Sequence, residues 1–317
     1  MPIVGSNLSG LTFTSDGQRG WVVGDHGAIL STGDGGLSWQ AQRTDIKKGL
    51  LAVTFTSDGR SGWAVGVGGT ILSTRDGGKL WQLQESGSKS TLAAVMLTSD
   101  GQRGWAVGGD GTILNTRDGG NSWQSQSSGC KDFLLDVTFM SDGQRGWAVG
   151  IGAILSTRDG GNSWQAYPQG NEASFSGVVF MSDGQRGWAV GSEGTIWSTR
   201  DSGDTWQPQS SGTKEWLLAV AFMSDGLRGW ATGSAGRILS TSDGGAIWQA
   251  QASGSIQGLR AVMFMGDGQH GWAVGVGGTI LSTSDGGHSW QGHTSAPRRW
   301  LDTVTLTSDG QRLLWEA

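Results

Sequence analysis

Tyrosine and cysteine each occur once in 317 residues, and proline only four times. A lone Cys130 excludes an intrachain disulfide and leaves the redox compartment open. Charged residues make up 15% of the chain, at a net charge of −5, so the basic stripe of a nucleic-acid surface is missing. No run approaches the roughly 18 apolar residues of a membrane-spanning helix. No long window keeps a helical period either, because Gly or a Gly-Trp pair interrupts each candidate. The start, Met1-Pro2-Ile3-Val4-Gly5, lacks a basic segment and an apolar segment. No signal peptide is therefore expected in the chain as written, which reads as cytoplasmic. Both ends fall almost inside repeats, as in a piece cut from a longer protein.

What the chain does have is glycine, 58 residues, and tryptophan, 18. They recur in a unit of about 42 residues, a length that signals a solenoid or a propeller. A Gly-Trp pair ends at Trp21, Trp63, Trp105, Trp147, Trp188, Trp230 and Trp272. An Asp-Gly turn follows at Asp34, Asp76, Asp118, Asp159, Asp201, Asp243 and Asp285. One step is a residue short, at Ile151-Gly152-Ala153.

The second unit shows how a repeat folds. Leu51-Ala52-Val53-Thr54-Phe55 alternates and is a first strand; Ser57-Asp58-Gly59 is a turn. Trp63-Ala64-Val65 is a second strand, closed by the Gly66–Gly69 turn, and Thr70–Thr74 is a third. Asp76-Gly77-Gly78 turns again, and Trp81–Gln84 is a fourth. Three tight hairpins make a four-stranded antiparallel meander. The middle strands are apolar on both faces, so each sheet needs a cover on both sides. Radial stacking supplies that, and closing the circle removes the unpaired ends. The expected fold is all-β: one seven-bladed β-propeller spanning 1–317, with repeats at about 10–293. In the turn, the Asp accepts backbone N–H groups and nearby hydroxyls. The Trp after it is expected to fill the gap between blades.

The pattern Ser-Thr-x-Asp-Gly-Gly-x-Ser-Trp resembles the Asp-box, or BNR, repeat. With Gly-Trp-Ala-Val-Gly ahead of it, it resembles the photosystem II assembly and stability factor family across residues 10–293. That resemblance implies a seven-bladed propeller and a non-enzymatic, partner-holding role, and related propellers occur widely in bacteria. Three boxes depart from the pattern: Leu80 and Ile247 replace the hydroxyl before Trp, and Ser202 replaces the first Gly. Those blades are expected to keep the turn with fewer hydrogen bonds.

Asp boxes also occur in sialidases, whose chemistry needs a Tyr nucleophile, carboxylates and three converging Arg. Tyr167 here precedes Pro168 at the end of a fourth strand. Arg19, Arg103, Arg145, Arg186 and Arg228 recur at one repeat position, so symmetry spreads them round the ring. His26, His270, His288 and His293 fall in different turns, which argues against a metal cluster. The Ser-Asp-Gly turns lack a calcium-ligand series. No cofactor, metal or catalytic constellation is expected, and the chain reads as no enzyme.

Positions identical in every unit serve the scaffold; positions that differ are free for a task. Middle turns and inter-unit connections share one face, and this is the variable one. The residue leading into each first strand reads Gly49, Thr91, Phe133, Phe175, Trp216, Gly258 and Trp300. Lys131, Lys214, Arg298 and Arg299 stand just before, with Lys47, Lys48 and Lys89 on the small-residue units. Aromatic and Arg-rich patches are typical binding anchors. The expected binding set is Phe133, Phe175, Trp216, Trp300, Lys131, Lys214, Arg298 and Arg299. The bland alternative is that the rings plug the channel. A protein or peptide partner is expected, with a glycan as the second reading. A recently amplified or designed repeat, or a sensor domain from a larger bacterial protein, are further readings. A half-unit at 300–317 copies a first strand and is expected to act in ring closure or tail packing. It replaces the N-terminal strand at Leu11–Thr14, overlaps it or pairs with another molecule, and one of the two copies is expected to close the ring. The chain is expected to be a monomer unless the half-unit pairs in trans.

Overall fold

The computed structural model describes residues 7–168 and 173–293, with two further short strands, Thr305–Leu306 and Leu313–Leu314. Seven four-stranded antiparallel sheets follow one another as a seven-bladed propeller. Their first strands are Leu8–Phe13, Leu50–Phe55, Leu92–Leu97, Leu134–Phe139, Phe175–Phe180, Leu217–Phe222 and Leu259–Phe264. These pack against one another around the ring and line its central channel. Each carries a bulge after its first residue, as between Leu134 and Asp136, which bends the inner edge. The second strands, Gly-Trp-Ala-Val-Gly in most blades, are buried at all five positions.

Why Gly precedes each Trp is a packing fact. Phe13 pairs with Gly20 across the hairpin, and its ring lies on that glycine. A Cβ there would come within 2.6 Å of the ring. The Phe is then covered from the previous blade: Trp21 stacks on Phe55 at 3.6 Å and 11°. Trp147 on Phe180 and Trp230 on Phe264 repeat this at 3.5 Å. The plate that crosses the gap is thus the second-strand Trp. The Trp after the box, expected in that place, meets the same Phe edge-on within its own blade, as Trp81 does at 5.8 Å and 88°. The joint at Trp63 differs because Leu97 replaces the Phe. There the Arg75 guanidinium sits 5.1 Å from the indole centroid.

Each box is a local staple. Asp34 accepts the Thr32 hydroxyl at 2.7 Å, the Ser38 N–H at 2.9 Å and the Ser38 hydroxyl. Those donors, Ser38 first, pull its carboxyl down to about 2. Asp76 keeps only the Thr74 hydroxyl and the Leu80 N–H, one bond fewer, as Leu80 implies. Ser202 behaves differently from the expectation. Asp201 keeps its full set from Thr199 and Thr205. The cost is conformational, since Ser202 sits at φ 64, where glycine is at ease.

The repeated arginines serve the same scaffold. Arg103 donates to the Asp142 carbonyl at 3.3 Å and Arg186 to the Asp225 carbonyl at 3.2 Å, each on the next blade. The ring closes by packing of blade seven on blade one. Trp272 stacks on Phe13 at 4.2 Å, and Arg260 donates to the Ser9 hydroxyl at 3.0 Å. Asn7 receives the Gly277 N–H at 3.1 Å and donates to Asp25 at 2.7 Å. The first blade is built from Leu8 to Ala41 alone, and among the described residues no blade mixes strands from the two ends. At this seam the N-terminal first strand, Leu8–Phe13, packs against Leu259–Phe264 of blade seven. The two late strands pair with each other; the rest of 300–317 lies outside the described residues.

Candidate functional site at the channel mouth

Middle turns and connections do meet on one face. The Gly49 carbonyl accepts the Val67 N–H at 3.0 Å, and Ser90 donates to Asp110 at 2.8 Å. On the opposite face the first turn holds the box turn, through Gly35 N–H to the Gln18 carbonyl at 2.9 Å. The tips of the middle turns need a left-handed residue. Gly68 and Gly277 supply it in two blades, but His26, Asp110, Glu193 and Ala235 adopt φ of 51–58° in four others. Each costs roughly 1 kcal/mol relative to glycine, and all four are exposed.

The aromatic lead-in residues are not equivalent. Trp216 is 43% exposed, and its indole N–H donates to the Ser176 hydroxyl of the neighbouring inner strand at 2.7 Å. That bond lays the ring across the channel mouth. Phe133 is half-buried beside Gly109 of the adjoining middle turn. Phe175 is a correction: it is fully buried at 0% exposure, in the core between blades four and five. The unit ahead of it is one residue short, so the residue matching Phe133 is Ser174. Phe175 fills the place held elsewhere by Leu50, Leu134 and Leu217. Lys131 and Lys214 are exposed on separate connections, without an ion pair among the described residues. Trp300, Arg298 and Arg299 lie outside the described residues.

Two features escaped the sequence reading. The third inner-strand position reads Gly10, Ala52, Ala94, Asp136, Gly177, Ala219 and Ala261, a column of small residues with one carboxylate. Asp136 wedges between the inner strands of blades four and five. One oxygen accepts its neighbour Val137 N–H at 2.8 Å, the other the Val178 N–H of the next blade at 2.9 Å. Burial pushes its carboxyl up to about 6 despite both bonds. The signal was present: a single acid in an otherwise neutral repeat column. The second feature is Trp197, which replaces the usual Leu of the third strand. It meets Phe175 and Tyr167 edge-on at 5.3 and 6.3 Å. Beside it lies an open hollow of about 520 Å³ lined by Glu193, Pro208, Ser211 and Lys214.

Other groups have scaffold surroundings. Burial raises the Cys130 thiol, which accepts the Asp132 N–H at 3.2 Å. Among the described residues no His, Cys, Asp and Glu gather as a metal site, and no helix is long and apolar enough to cross a membrane.

Comparison with known proteins adds a family. No curated protein matches this chain by sequence. The solved structure of YCF48 from Cyanidioschyzon merolae has a TM-score of 0.71 at 21% identity, covering 88% of this chain and 96% of that one. A structure described as YCF48 bound to D1 peptide gives 0.73 at 22% identity, with 88% and 94% covered. The GH74 enzyme of Niastella koreensis gives 0.75 at 16% identity; it covers 90% of this chain but only 54% of the enzyme is matched. At such identities these likenesses speak for the fold. The family profile described as photosynthesis system II assembly factor YCF48 matches residues 3–82, 38–127, 122–211 and 168–252. Matched over most of its repeats and folded as a ring of Asp-box sheets, this chain belongs to the YCF48 family of photosystem II assembly factors.

Proposed function

We propose that the chain is a non-catalytic scaffold that holds a polypeptide segment of a partner at the mouth of its channel. The observation that carries this reading is Trp216, a large ring left 43% exposed and fixed in place by Ser176. A fixed, partly exposed indole loses little entropy on binding, which is why such rings anchor interfaces. Its support is that one YCF48 is described as bound to D1 peptide. Phe133, Lys131 and Lys214 lie on the same face and extend the anchor. Replacing Trp216 with Ala is expected to abolish partner capture while changing the melting temperature by a degree or two at most, about 0.5 kcal/mol for a surface change. Capture is read by pull-down and stability by thermal melting. An unfolded variant would assign the ring to the core, and unchanged capture would end the reading.

A second reading has one observation in its favour. The hollow beside Trp197 and Pro208 combines an apolar floor with Glu193, Ser211 and Lys214, a composition that suits a sugar. A glycan array separates the two, since only the peptide reading ties capture to Trp216.

A further inference from the structure

Apart from its two ends, the channel wall is nearly free of charge. The forty-two residues of the seven inner strands include two charged side chains, Asp136 and Arg260. They stand on blades four and seven, so neither serves as partner to the other; Arg260 instead reaches Ser9. Among the described residues Asp136 forms no ion pair. The strands packed on it, Leu92–Leu97, Gly104–Gly108, Gly146–Gly150 and Phe175–Phe180, hold no titratable group. The adjoining middle turn adds Asp110, and the connection leading into its own strand adds Lys131 and Asp132, both exposed.

Closing the joint does not require this carboxylate, since Ala or Gly closes the other six. A half-buried anion without a counter-charge costs stability, and burial raises its carboxyl. Its position is what gives it meaning. Asp136 holds the Val178 N–H, and two residues before Val178 stands Ser176, the hydroxyl that fixes Trp216. Phe133 leads into the same strand as Asp136. A half-buried carboxylate thus lies near the start of the strand that Phe133 leads into, bonded to the strand whose Ser176 fixes Trp216, with its geometry fixed by two backbone bonds.

We propose that the segment held at this mouth carries a lysine or arginine side chain whose cation is received by Asp136. The rings of Phe133 and Trp216 flank its path, and an aromatic rim favours a cation on its way in. The cation supplies the charge that the joint lacks, so binding recovers a cost already present in the free protein. This inference rests on the reading of the mouth as a peptide site and adds the chemistry of its occupant.

The test pans a displayed library of random short peptides against the full chain, then measures selected peptides on variants. The main variant is Asp136→Ala, which installs the residue present at positions 52, 94, 219 and 261 and so keeps the fold. Peptides selected on the parent chain are expected to share one Lys or Arg. Affinity should fall at least about tenfold in Asp136→Ala. The same loss is expected when that Lys or Arg becomes Ala, and the two losses should not add. Binding to the parent should also weaken as pH falls from about 7 to about 5, where the carboxyl takes up a proton, and binding to Asp136→Ala should not. Selected peptides without a shared cation, or an affinity unmoved by Asp136→Ala, would overturn the inference and leave peptide binding standing. Failure to select any peptide, with Trp216→Ala equally inert, would remove the peptide reading and this inference together.

Discussion

The two faces of the disc use the same conformational need in opposite ways. On the box face, left-handed turn positions are filled by glycine in every blade except at Ser202, and each of the seven box Asp accepts hydrogen bonds from its own turn. On the connection face, four of the corresponding middle-turn positions carry His26, Asp110, Glu193 and Ala235 against the backbone's preference. Both faces hang from identical sheets, so the sheets do not explain the difference. One face is optimised for closure of each hairpin. The other has traded small amounts of stability for side chains that differ from blade to blade.

The comparison breaks first at the joints that both faces share. Trp188 is buried, stacks on Phe222 at 3.7 Å and donates to the Gly244 carbonyl at 3.0 Å. Trp188→Ala should cost about 3–5 kcal/mol in denaturant unfolding, the toll of an aromatic lost from a close-packed core. A loss below about 1 kcal/mol would mean that the joints are not what holds the ring.

Next in size is the response to pH, which has opposite signs for the two kinds of carboxylate. Asp34 and Asp118, lowered to about 2 chiefly by the Ser38 and Ser122 hydroxyls, add stability above their ordinary value of 3.8. That contribution disappears as pH falls toward 2. Asp136, raised to about 6 by burial, favours the folded state while protonated. Its contribution is lost as pH rises from about 4 through about 6. Asp136→Ala should therefore flatten the stability profile between those values and leave the acid limb unchanged. Melting temperatures across the range measure both limbs, and an unchanged slope in Asp136→Ala would show that the group is already well solvated.

The smallest expected effect sharpens the contrast at one residue. Ser202→Gly relieves the only left-handed non-glycine residue among the described box turns and should stabilise by about 0.5–1 kcal/mol. A loss of stability would mean that the Ser202 side chain makes a contact worth more than the strain.

Much of this was legible in residue order. The Gly-Trp and Asp-Gly spacing gave blade number, strand order and the sharing of faces, because a hairpin must return the chain to its starting end. The mouth was legible only in outline. Trp216 stood out as a ring at a variable position, but Phe175 looked the same until the missing residue after Ile151 moved its register into the core. Asp136 is visible as the odd acid of its column, but its burial cannot be read from a strand that alternates only loosely around a bulge.

By itself the sequence determined a closed array of seven small sheets, since each unit is too small to bury its own apolar faces and must use its neighbours. The tertiary structure alone decided which aromatic crosses each gap and which only touches edge-on. It also decided which ring is swallowed and which lies over the channel, and that one carboxylate is enclosed by another blade's backbone. These depend on contacts between residues about forty apart, which repeat spacing allows but cannot choose among.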